Sequence, residues 1–486
     1  MMTPKIEFLS PNIIQKILTE AFQLLLNPGV KVQSPQARQL LKDVGATVDE
    51  EKEIALIPEE VVHRALATVP HEFWLYSRSG EAVVQYGGDA VHFDPGSCGV
   101  HILDPETLEH RSSTSSDLIR LVQVTEMLPE IDTQSTAVVC NEIPKEIGDL
   151  FRLFLVLWYS NKPIVTGAFS TRTTQIMFDL LAVFRNGREG LKEKPLAVFD
   201  VCPTPPLIWS DFGSQNLIDL ARAGVPAQIV SMPLAGAAAP VTLLGSVVQH
   251  AAECLSGITL HQAAQPGAPI VWGGAPAIFD MRQGTTPMGA IETAMLDAAY
   301  AQVGKSLGLP THGYLGASDA KLVDAQAGIE SSLTAMVGAL AGMNMISGVG
   351  MLDFLACQSV EKLVVDAESI AMVKRLLQGI EVQTDPLATH FYDDFHFKSD
   401  FLKQRLTRQL FPKEQVLPSM VIDRGSIRVW EEQGKTDAFQ RARRRVKELL
   451  ANYQRPPMKE EEEAALLSLV SQVAREAGLD TLPPLI

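Results

Sequence analysis

The chain has 486 residues, of which 46% are hydrophobic and 20% charged, and its formal net charge is −16. This composition is typical of globular proteins and excludes a disordered chain. The excess of acidic residues makes nucleic acids and anionic membranes unfavourable partners, because both are negatively charged. No run of about 18 uncharged apolar residues occurs, so the sequence predicts no membrane-spanning helix.

The cysteines and the N-terminal segment indicate the expected compartment. The N-terminal segment mixes acidic and amide side chains into its apolar pattern, which is not typical of a secretory signal. The five cysteines are scattered, odd in number and without a CxxC motif: Cys98, Cys140, Cys202, Cys254 and Cys357. This pattern favours reduced thiols over disulfides or a structural zinc site. We therefore expect a cytoplasmic protein that holds no metal ion.

Residues 1–75 are predicted to form an N-terminal helical extension. Amphipathic periodicity recurs there, and each of three helices is introduced by a proline, a residue that suits the first helical turn. These helices are expected to begin near Pro11, Pro35 and Pro58. Short extended runs are expected within residues 73–110, where aromatic and β-branched residues alternate with glycine-rich turns.

From residue 131 onwards, short apolar segments alternate with amphipathic helical stretches. The apolar segments begin at residues 135, 163, 196, 227, 269, 310 and 344. Their spacing of roughly 30 to 40 residues accommodates one strand, one helix and two loops. Continuously apolar strands are typical of a parallel sheet that is buried on both faces. A further strand in residues 90–103 brings the total to about eight, the number that closes a (β/α)8 barrel.

We therefore predict an α/β fold in which residues 76–380 form a (β/α)8 TIM barrel. Residues 381–486 are predicted to be a C-terminal helical extension that packs on the barrel. A doubly wound open sheet is the alternative, but the units continue without a topological break or a GxGxxG motif. The basic helix over residues 437–453 is interpreted as a solvated face, with docking of a partner as the alternative.

Candidate site residues follow from the predicted strands, because barrel enzymes place their chemistry at the C-terminal ends of the strands. These positions lack the Ser/His, HxH and HExxH patterns of hydrolases and offer carboxylates and aromatic rings instead. The candidates are Glu142, Phe169, Asp200, Trp272, His312, Tyr314, Asp319 and Phe354. Each has a structural alternative: a salt bridge at the barrel rim for the carboxylates, core packing for the aromatic rings, and a hydrogen-bonded core position for the histidine.

Two other features allow a functional interpretation. Lys321 is a candidate Schiff-base lysine, although it lies in a polar loop beyond its strand. The Gly273–Gly274 pair suits a close approach to a phosphate, but such a pair alone is a weak signal.

Several segments resemble the trimethylamine methyltransferase superfamily. The strongest are residues 316–330 (GASDAKLVDAQAGIE), 339–346 (ALAGMNMI) and 350–353 (GMLD). Residues 35–45, 58–70 and 430–457 are similar as well, so the resemblance covers essentially the whole chain. It implies a (β/α) barrel that moves a methyl group from an amine to the cobalt of a separate corrinoid protein.

The resemblance also implies a substrate class. The archaeal trimethylamine enzymes carry pyrrolysine, whereas this chain has only standard residues. The corresponding position is expected within residues 319–330, where the sequence does not fix it. The chain thus resembles the nonpyrrolysine branch, whose members demethylate quaternary amines such as glycine betaine. The nucleophile would be Co(I) of the partner, so no catalytic residue and no tightly bound cofactor are expected in this chain.

We expect the site to hold a quaternary ammonium group and to aim one methyl group at cobalt. The nitrogen is already cationic, so the amine leaves as a neutral molecule without a proton donor. The proposed cage is Phe169, Trp272, Tyr314 and Phe354, and the proposed counter-charges are Glu142, Asp200 and Asp319. A substrate carboxylate would be met by His312, Arg282 or the backbone of Gly273–Gly274.

Two alternatives to this function stay open. One is a barrel lyase or aldolase that uses Lys321 or a metal ion, and the other is a non-catalytic betaine-binding protein. The expected partners are a cognate corrinoid protein, a small quaternary amine and further copies of the same chain.

Overall fold

The centre of the molecule is a parallel sheet that nearly closes into a barrel. The computed structural model describes residues 4–393, 395–397, 400–479 and 481–485. In that part of the chain, eight strands form the sheet: β1 (His92–Pro95), β2 (Gln134–Ser135), β3 (Ile164–Thr166), β4 (Ala197–Val201), β5 (Ala227–Ile229), β6 (Ile270–Gly274), β7 (Thr311–Tyr314) and β8 (Met345–Val349). From β2 to β8 each strand pairs with the next in parallel, and β8 pairs with β1.

The (β/α)8 barrel prediction is confirmed. Each of the seven apolar segments contains one barrel strand, and residues 90–103 contribute β1. The pairing of β8 with β1 excludes the doubly wound alternative, because an open sheet of that kind does not bring its last strand back to its first. The two end strands of the sheet, β1 and β2, also lie side by side. The backbone N–H of Asp132, just before β2, donates to the carbonyl of Phe93 in β1 at 2.9 Å.

A helix follows every barrel strand. The eight helices are α1 (Ser115–Glu126), α2 (Gly148–Tyr159), α3 (Thr171–Ala182), α4 (Asp211–Ala223), α5 (Leu243–Ala264), α6 (Ile291–Ser306), α7 (Ala325–Leu340) and α8 (Val360–Leu377). Several begin at a side chain that accepts a hydrogen bond from the first turn, as Ser210 does for α4, Asp324 for α7 and Ser359 for α8. A short helix, Arg188–Glu193, and 3₁₀ turns at Lys145–Ile147 and Val183–Arg185 complete the ring.

The N-terminal segment contains the predicted helices and also a small sheet. Its helices are Pro11–Leu26, Pro35–Asp43 and Glu59–Leu66. The strands Val30–Val32, Thr47–Asp49 and Ile54–Leu56 were not predicted. They form one sheet, in which Val30–Val32 also pairs with Ile208–Trp209 from the loop after β4. The N-terminal helices pack on α5, which explains why that helix is buried on nearly all sides.

A β-hairpin closes the N-terminal end of the barrel. It consists of Phe73–Tyr76 and Ala82–Tyr86. Its side chains Leu75, Val84 and Tyr86 are fully buried against inward-facing barrel residues such as Val165. The opposite end of the barrel is surrounded by short strands in the loops, at His101–Leu103, His110–Ser112, Leu234–Ala235, Ala277–Ile278, Met351–Leu352 and Cys357–Gln358.

The C-terminal segment lies along the outside of the barrel. Its helices are Arg405–Glu414, Ile427–Glu432, Ala438–Asn452 and Glu460–Glu476, with 3₁₀ turns at Thr389–Tyr392 and Phe401–Lys403. The basic helix packs on α8 and α1 through Ala442, Val446 and Leu449. The predicted domain boundaries stay predictions. Residues 1–3 of the predicted N-terminal extension, and 394, 398, 399, 480 and 486 of the predicted C-terminal one, lie outside the described residues.

Two features are absent from the described part of the chain. None of its helices combines the length and hydrophobicity needed to cross a bilayer. Within the same residues, no group of three or more His, Cys, Asp or Glu side chains is arranged to hold a metal ion.

Candidate functional site

A cavity of about 360 Å³ opens at the C-terminal ends of the barrel strands. Its size suits a small organic molecule. Three of the residues singled out in the sequence line it, namely Phe169, Asp200 and Tyr314. The lining also includes side chains that the sequence analysis missed, among them Cys98, Arg152, Cys202, Asn216 and Met232.

Asp200 is the carboxylate of this cavity. Its Oδ1 accepts a hydrogen bond from Gln228 Nε2 at 2.7 Å, and its Oδ2 accepts one from the Tyr314 hydroxyl at 3.0 Å. Burial raises the pKa of Asp200 to about 7, although both hydrogen bonds favour the ionised form. The carboxylate therefore changes its charge near neutral pH. Tyr314 comes from β7, across the barrel from β4, so this pair lies near the barrel axis.

Polar side chains continue below Asp200 into the barrel. Gln228 Oε1 accepts a hydrogen bond from the Tyr86 hydroxyl at 3.2 Å. His312 Nε2 lies 2.9 Å from the hydroxyl of Ser347, and burial lowers the pKa of His312 to about 3, so this imidazole is neutral. Its ring lies directly under that of Tyr314, with the ring centres 5.2 Å apart, and it is not among the cavity-lining residues.

Asp94 adds a second carboxyl group to this interior. It is fully buried beside Ser347. Burial, together with the nearby Asp200 carboxylate, raises the pKa of Asp94 well above its ordinary value. Among the described residues neither Asp94 nor Asp200 forms an ion pair, so the ionised Asp200 carboxylate offers a counter-charge to a positively charged ligand.

Phe169 forms an outer wall of the cavity and is 54% exposed. Its backbone N–H donates to Asp149 Oδ2 at 2.6 Å, which fixes the loop between β3 and α3. The guanidinium carbon of Arg152 lies 4.8 Å from the centre of its ring. One face of this ring is thus already occupied by a cation of the protein itself.

Two candidates lie away from the cavity. Trp272 is fully buried, faces the helices, and donates its indole N–H to the carbonyl of Tyr300 at 3.0 Å. Glu142 accepts hydrogen bonds from the backbone N–H and the hydroxyl of Ser115, at 2.7 and 2.5 Å, and so holds the first turn of α1. Both side chains thus contact other parts of the fold, and neither lines the cavity.

A further group of candidates forms a cluster at the barrel rim. Asp319 accepts hydrogen bonds from the backbone N–H groups of Met288 and Gly289, and burial raises its pKa to about 6. Lys321 Nζ lies 3.1 Å from Asp353 Oδ1 and 3.9 Å from the ring centre of Phe354. None of these side chains lines the cavity. The exposed Arg282 pairs with Asp280 at 2.7 Å and does not line it either.

The Gly273–Gly274 pair allows close packing inside the barrel wall. A Cβ atom on Gly273 would lie 2.6 Å from the carbonyl oxygen of Ile229, and one on Gly274 would lie 2.5 Å from His250 Nε2. Both distances are shorter than side-chain contacts allow. The close packing of β6 against its neighbours therefore explains why both positions are glycine, and a bound phosphate is not needed to explain them.

We expect Gly274→Ala to destabilise the barrel by about 1 to 3 kcal/mol, because the new methyl group overpacks a rigid site. A lower thermal unfolding midpoint, measured by calorimetry, checks this. Gly328→Ala is the matched control, since a Cβ there meets nothing within 4 Å on α7. It should leave the midpoint unchanged or raise it. Equal midpoints for both variants would contradict the packing argument.

A barrel closed at one end, with a small cavity over a buried carboxylate at the other, is the arrangement of (β/α)8 enzymes that act on small molecules. The chain belongs to the trimethylamine methyltransferase (MTTB) family, whose model matches residues 1–478.

Relatives agree with this assignment, and a solved structure agrees with the fold. The chain is 33% identical to the trimethylamine methyltransferase MttB of Methanosarcina thermophila over 441 residues, 90% of this chain and 91% of the relative. It is 28% identical to a glycine betaine methyltransferase of Desulfitobacterium hafniense strain Y51 over 479 residues, 98% of this chain and 99% of the relative. The crystal structure of the Methanosarcina barkeri monomethylamine methyltransferase matches with a TM-score of 0.54 at 13% identity, covering 92% of this chain and 89% of that one, and shows the fold alone.

Proposed function

We propose that this protein transfers a methyl group from a quaternary amine, with glycine betaine as the first candidate, to Co(I) of a cognate corrinoid protein. Family membership supports amine methyl transfer. The similarity to a glycine betaine methyltransferase supports the choice of substrate. The observation that carries the proposal is the position of Asp200, a hydrogen-bonded carboxylate at the inner end of a cavity that opens at the barrel mouth.

The methyl transfer requires the chain mainly to bind and orient the substrate. In a quaternary amine the C–N bond breaks with its electron pair remaining on nitrogen, so the nitrogen becomes neutral and the transfer step needs no proton donor. The nucleophile comes from the partner. Asp200 supplies the charge that holds the cation, and the phenol ring of Tyr314 adds an aromatic face beside it. The pKa of Tyr314 is raised well above its ordinary value by burial, so the phenol stays neutral.

The barrel mouth is the expected approach for the methyl acceptor. The hairpin closes the other end of the barrel, and the cavity rim includes the exposed side chains of Phe169 and Met232. A substrate whose cationic head points towards Asp200 can still present one of its methyl groups outwards. The corrinoid protein as partner, the lack of a tightly bound cofactor and the homo-oligomeric state all belong to the proposal.

The test is a methyl-transfer assay with the cognate corrinoid protein reduced to Co(I). With glycine betaine we expect dimethylglycine in amounts equal to the Co(I) consumed. Absorbance follows the consumption of Co(I), and mass spectrometry measures dimethylglycine. Proline betaine and carnitine extend the panel, and reactions without the enzyme are the control. An unchanged Co(I) spectrum with every member of the panel would contradict the proposal.

Trimethylamine is the second candidate substrate, because the chain is 33% identical to a trimethylamine methyltransferase. It is a cation at neutral pH and would also be attracted by Asp200. Formation of dimethylamine but no dimethylglycine in the same assay would favour it. Tight betaine binding without any transfer would instead favour the non-catalytic binding protein.

A further inference from the structure

The cavity contains a buried arginine that forms no ion pair with the described part of the chain. Arg152 is 2% exposed, and it is the lone basic residue of the largely apolar helix α2. Its Nη1 donates to the carbonyl of Thr136 at 2.9 Å, and its Nε donates to the carbonyl of Gly148 at 3.3 Å. Among the described residues, Nη2 has no acceptor and no carboxylate forms an ion pair with the guanidinium. Buried charges are normally paired, so this guanidinium can still take an anionic ligand as a partner.

A second polar group with unused hydrogen-bonding capacity lines the same cavity. Asn216 is 2% exposed, and its side-chain Oδ1 has no hydrogen-bond partner in the described structure. The two ends of an amide are interchangeable by a flip, so either can face the cavity. The first turn of α4 also lies there, at Ser210 and Gly213, and a helix N-terminus favours an anion.

The two ends of the cavity therefore differ in charge. Arg152 and Asn216 come from α2 and α4 in the outer ring of helices, and both line the cavity. Asp200 and Tyr314 lie near the barrel axis, where their hydrogen bond spans from β4 to β7. A ligand that fills this cavity meets a carboxylate at its inner end and a guanidinium at its outer end. A zwitterion with a cationic head and a short anionic tail satisfies both charges.

We propose that Arg152, together with Asn216, forms an anion subsite that binds the substrate carboxylate and selects zwitterionic quaternary amines over simple cations. The identity of the cationic end of the ligand rests on the proposed function. It replaces His312, Arg282 and the Gly273–Gly274 backbone, which do not line the cavity, as the expected partners of that carboxylate. The ring of Phe169 holds the guanidinium in place from one side.

The test compares the binding of glycine betaine with that of choline, which has the same cationic head but no carboxylate. Calorimetry with the full chain at pH 8, where Asp200 is ionised, gives both dissociation constants. The wild-type protein is expected to bind betaine about 30-fold or more tightly than choline, because choline leaves the guanidinium unpaired. Arg152→Gln should weaken betaine binding by about 30-fold or more and change choline binding by less than about threefold.

Further variants separate the subsite from effects on folding. Arg152→Lys keeps the charge but loses the planar fork and should lie between wild type and Arg152→Gln. Asn216→Asp places a negative charge at the subsite without removing the arginine and should shift the preference towards choline. Arg282→Gln, an exposed position outside the cavity, is the matched control and should change neither constant.

The outcomes distinguish the subsite from the proposed function. If betaine is preferred and Arg152→Gln abolishes the preference, the subsite stands even where no methyl transfer is detected. If methyl transfer occurs but Arg152→Gln weakens both ligands equally, the subsite is wrong and the proposed function stands. Equal binding of choline and betaine by the wild-type protein, or binding of neither, overturns the subsite.

Discussion

Replacing Asp200 with Asn is expected to lower kcat/KM for glycine betaine by about 30- to 1,000-fold. The amide has nearly the same shape but no charge, so it no longer attracts the ammonium group in a site from which much water is excluded. Loss of one partner of a buried charge pair costs about 2 to 4 kcal/mol, which corresponds to that range. Steady-state methyl transfer and calorimetric betaine binding should show the same loss, because the charge acts mainly on binding.

The stability of the variant separates this effect from misfolding. Burial raises the pKa of Asp200 to about 7, so the folded protein disfavours the ionised side chain. Asp200→Asn should therefore unfold at the same temperature as wild type or higher at pH 8. Asp280→Asn is the control, since Asp280 is paired with the exposed Arg282 outside the cavity. A loss of less than about threefold for Asp200→Asn would rule out its role as the cation partner.

The barrel could be predicted from the sequence because short, largely apolar segments around most of the strands recur at a regular interval. β4 and β6 illustrate this pattern, since nearly every residue in them is buried. The strand Val30–Val32 could not be predicted in the same way. It has three residues and pairs with Ile208–Trp209, far away in sequence, so its local pattern carries little information.

Site residues could be predicted only where their position in the chain determines the direction of the side chain in the barrel. Asp200 and Tyr314 lie at strand ends and face the barrel axis, as their mutual hydrogen bond shows. Trp272 lies in the middle of β6 and points outwards to the helices, because side chains alternate along a strand. Substrate contact by the remaining candidates stays a prediction.

Arg152 and Asn216 were missed because helix residues reach the cavity only through the three-dimensional arrangement of α2 and α4. The sequence did contain one signal for Arg152. α2 reads GDLFRLFLVLWY, and a lone arginine within such an apolar helix must be buried or must bind something. The corresponding signal for Asn216 is weak, because polar residues are common in the first turns of amphipathic helices.

Betaine binding is expected to depend on pH with a midpoint near 7. The substrate itself does not change its charge between pH 5.5 and 8.5, so the dependence reports on the protein. The pKa of Asp200 in the free protein is about 7, and the cation binds the ionised form. As pH falls below 7 a growing fraction of Asp200 is protonated, so affinity should fall about tenfold per pH unit. Above pH 7 affinity should be constant.

His312 does not account for such a midpoint, because burial lowers its pKa to about 3 and it stays neutral between pH 5.5 and 8.5. Asp94 also has a pKa that burial raises well above its ordinary value, so loss of the midpoint in Asp200→Asn is what assigns it to Asp200. Asp319, with a pKa raised to about 6, lies in the rim cluster. A midpoint near 6 that persists in Asp200→Asn would therefore point to Asp319.

Proton release provides an independent check of the same assignment. At pH 6 most Asp200 is protonated, so betaine binding should release close to one proton per site. At pH 8 it should release almost none. Calorimetry in buffers with different ionisation enthalpies measures this number, and Asp200→Asn should show no release at either pH. Betaine affinity that is flat from pH 5.5 to 8.5 in the wild-type protein would mean that the cation does not bind next to the ionised Asp200.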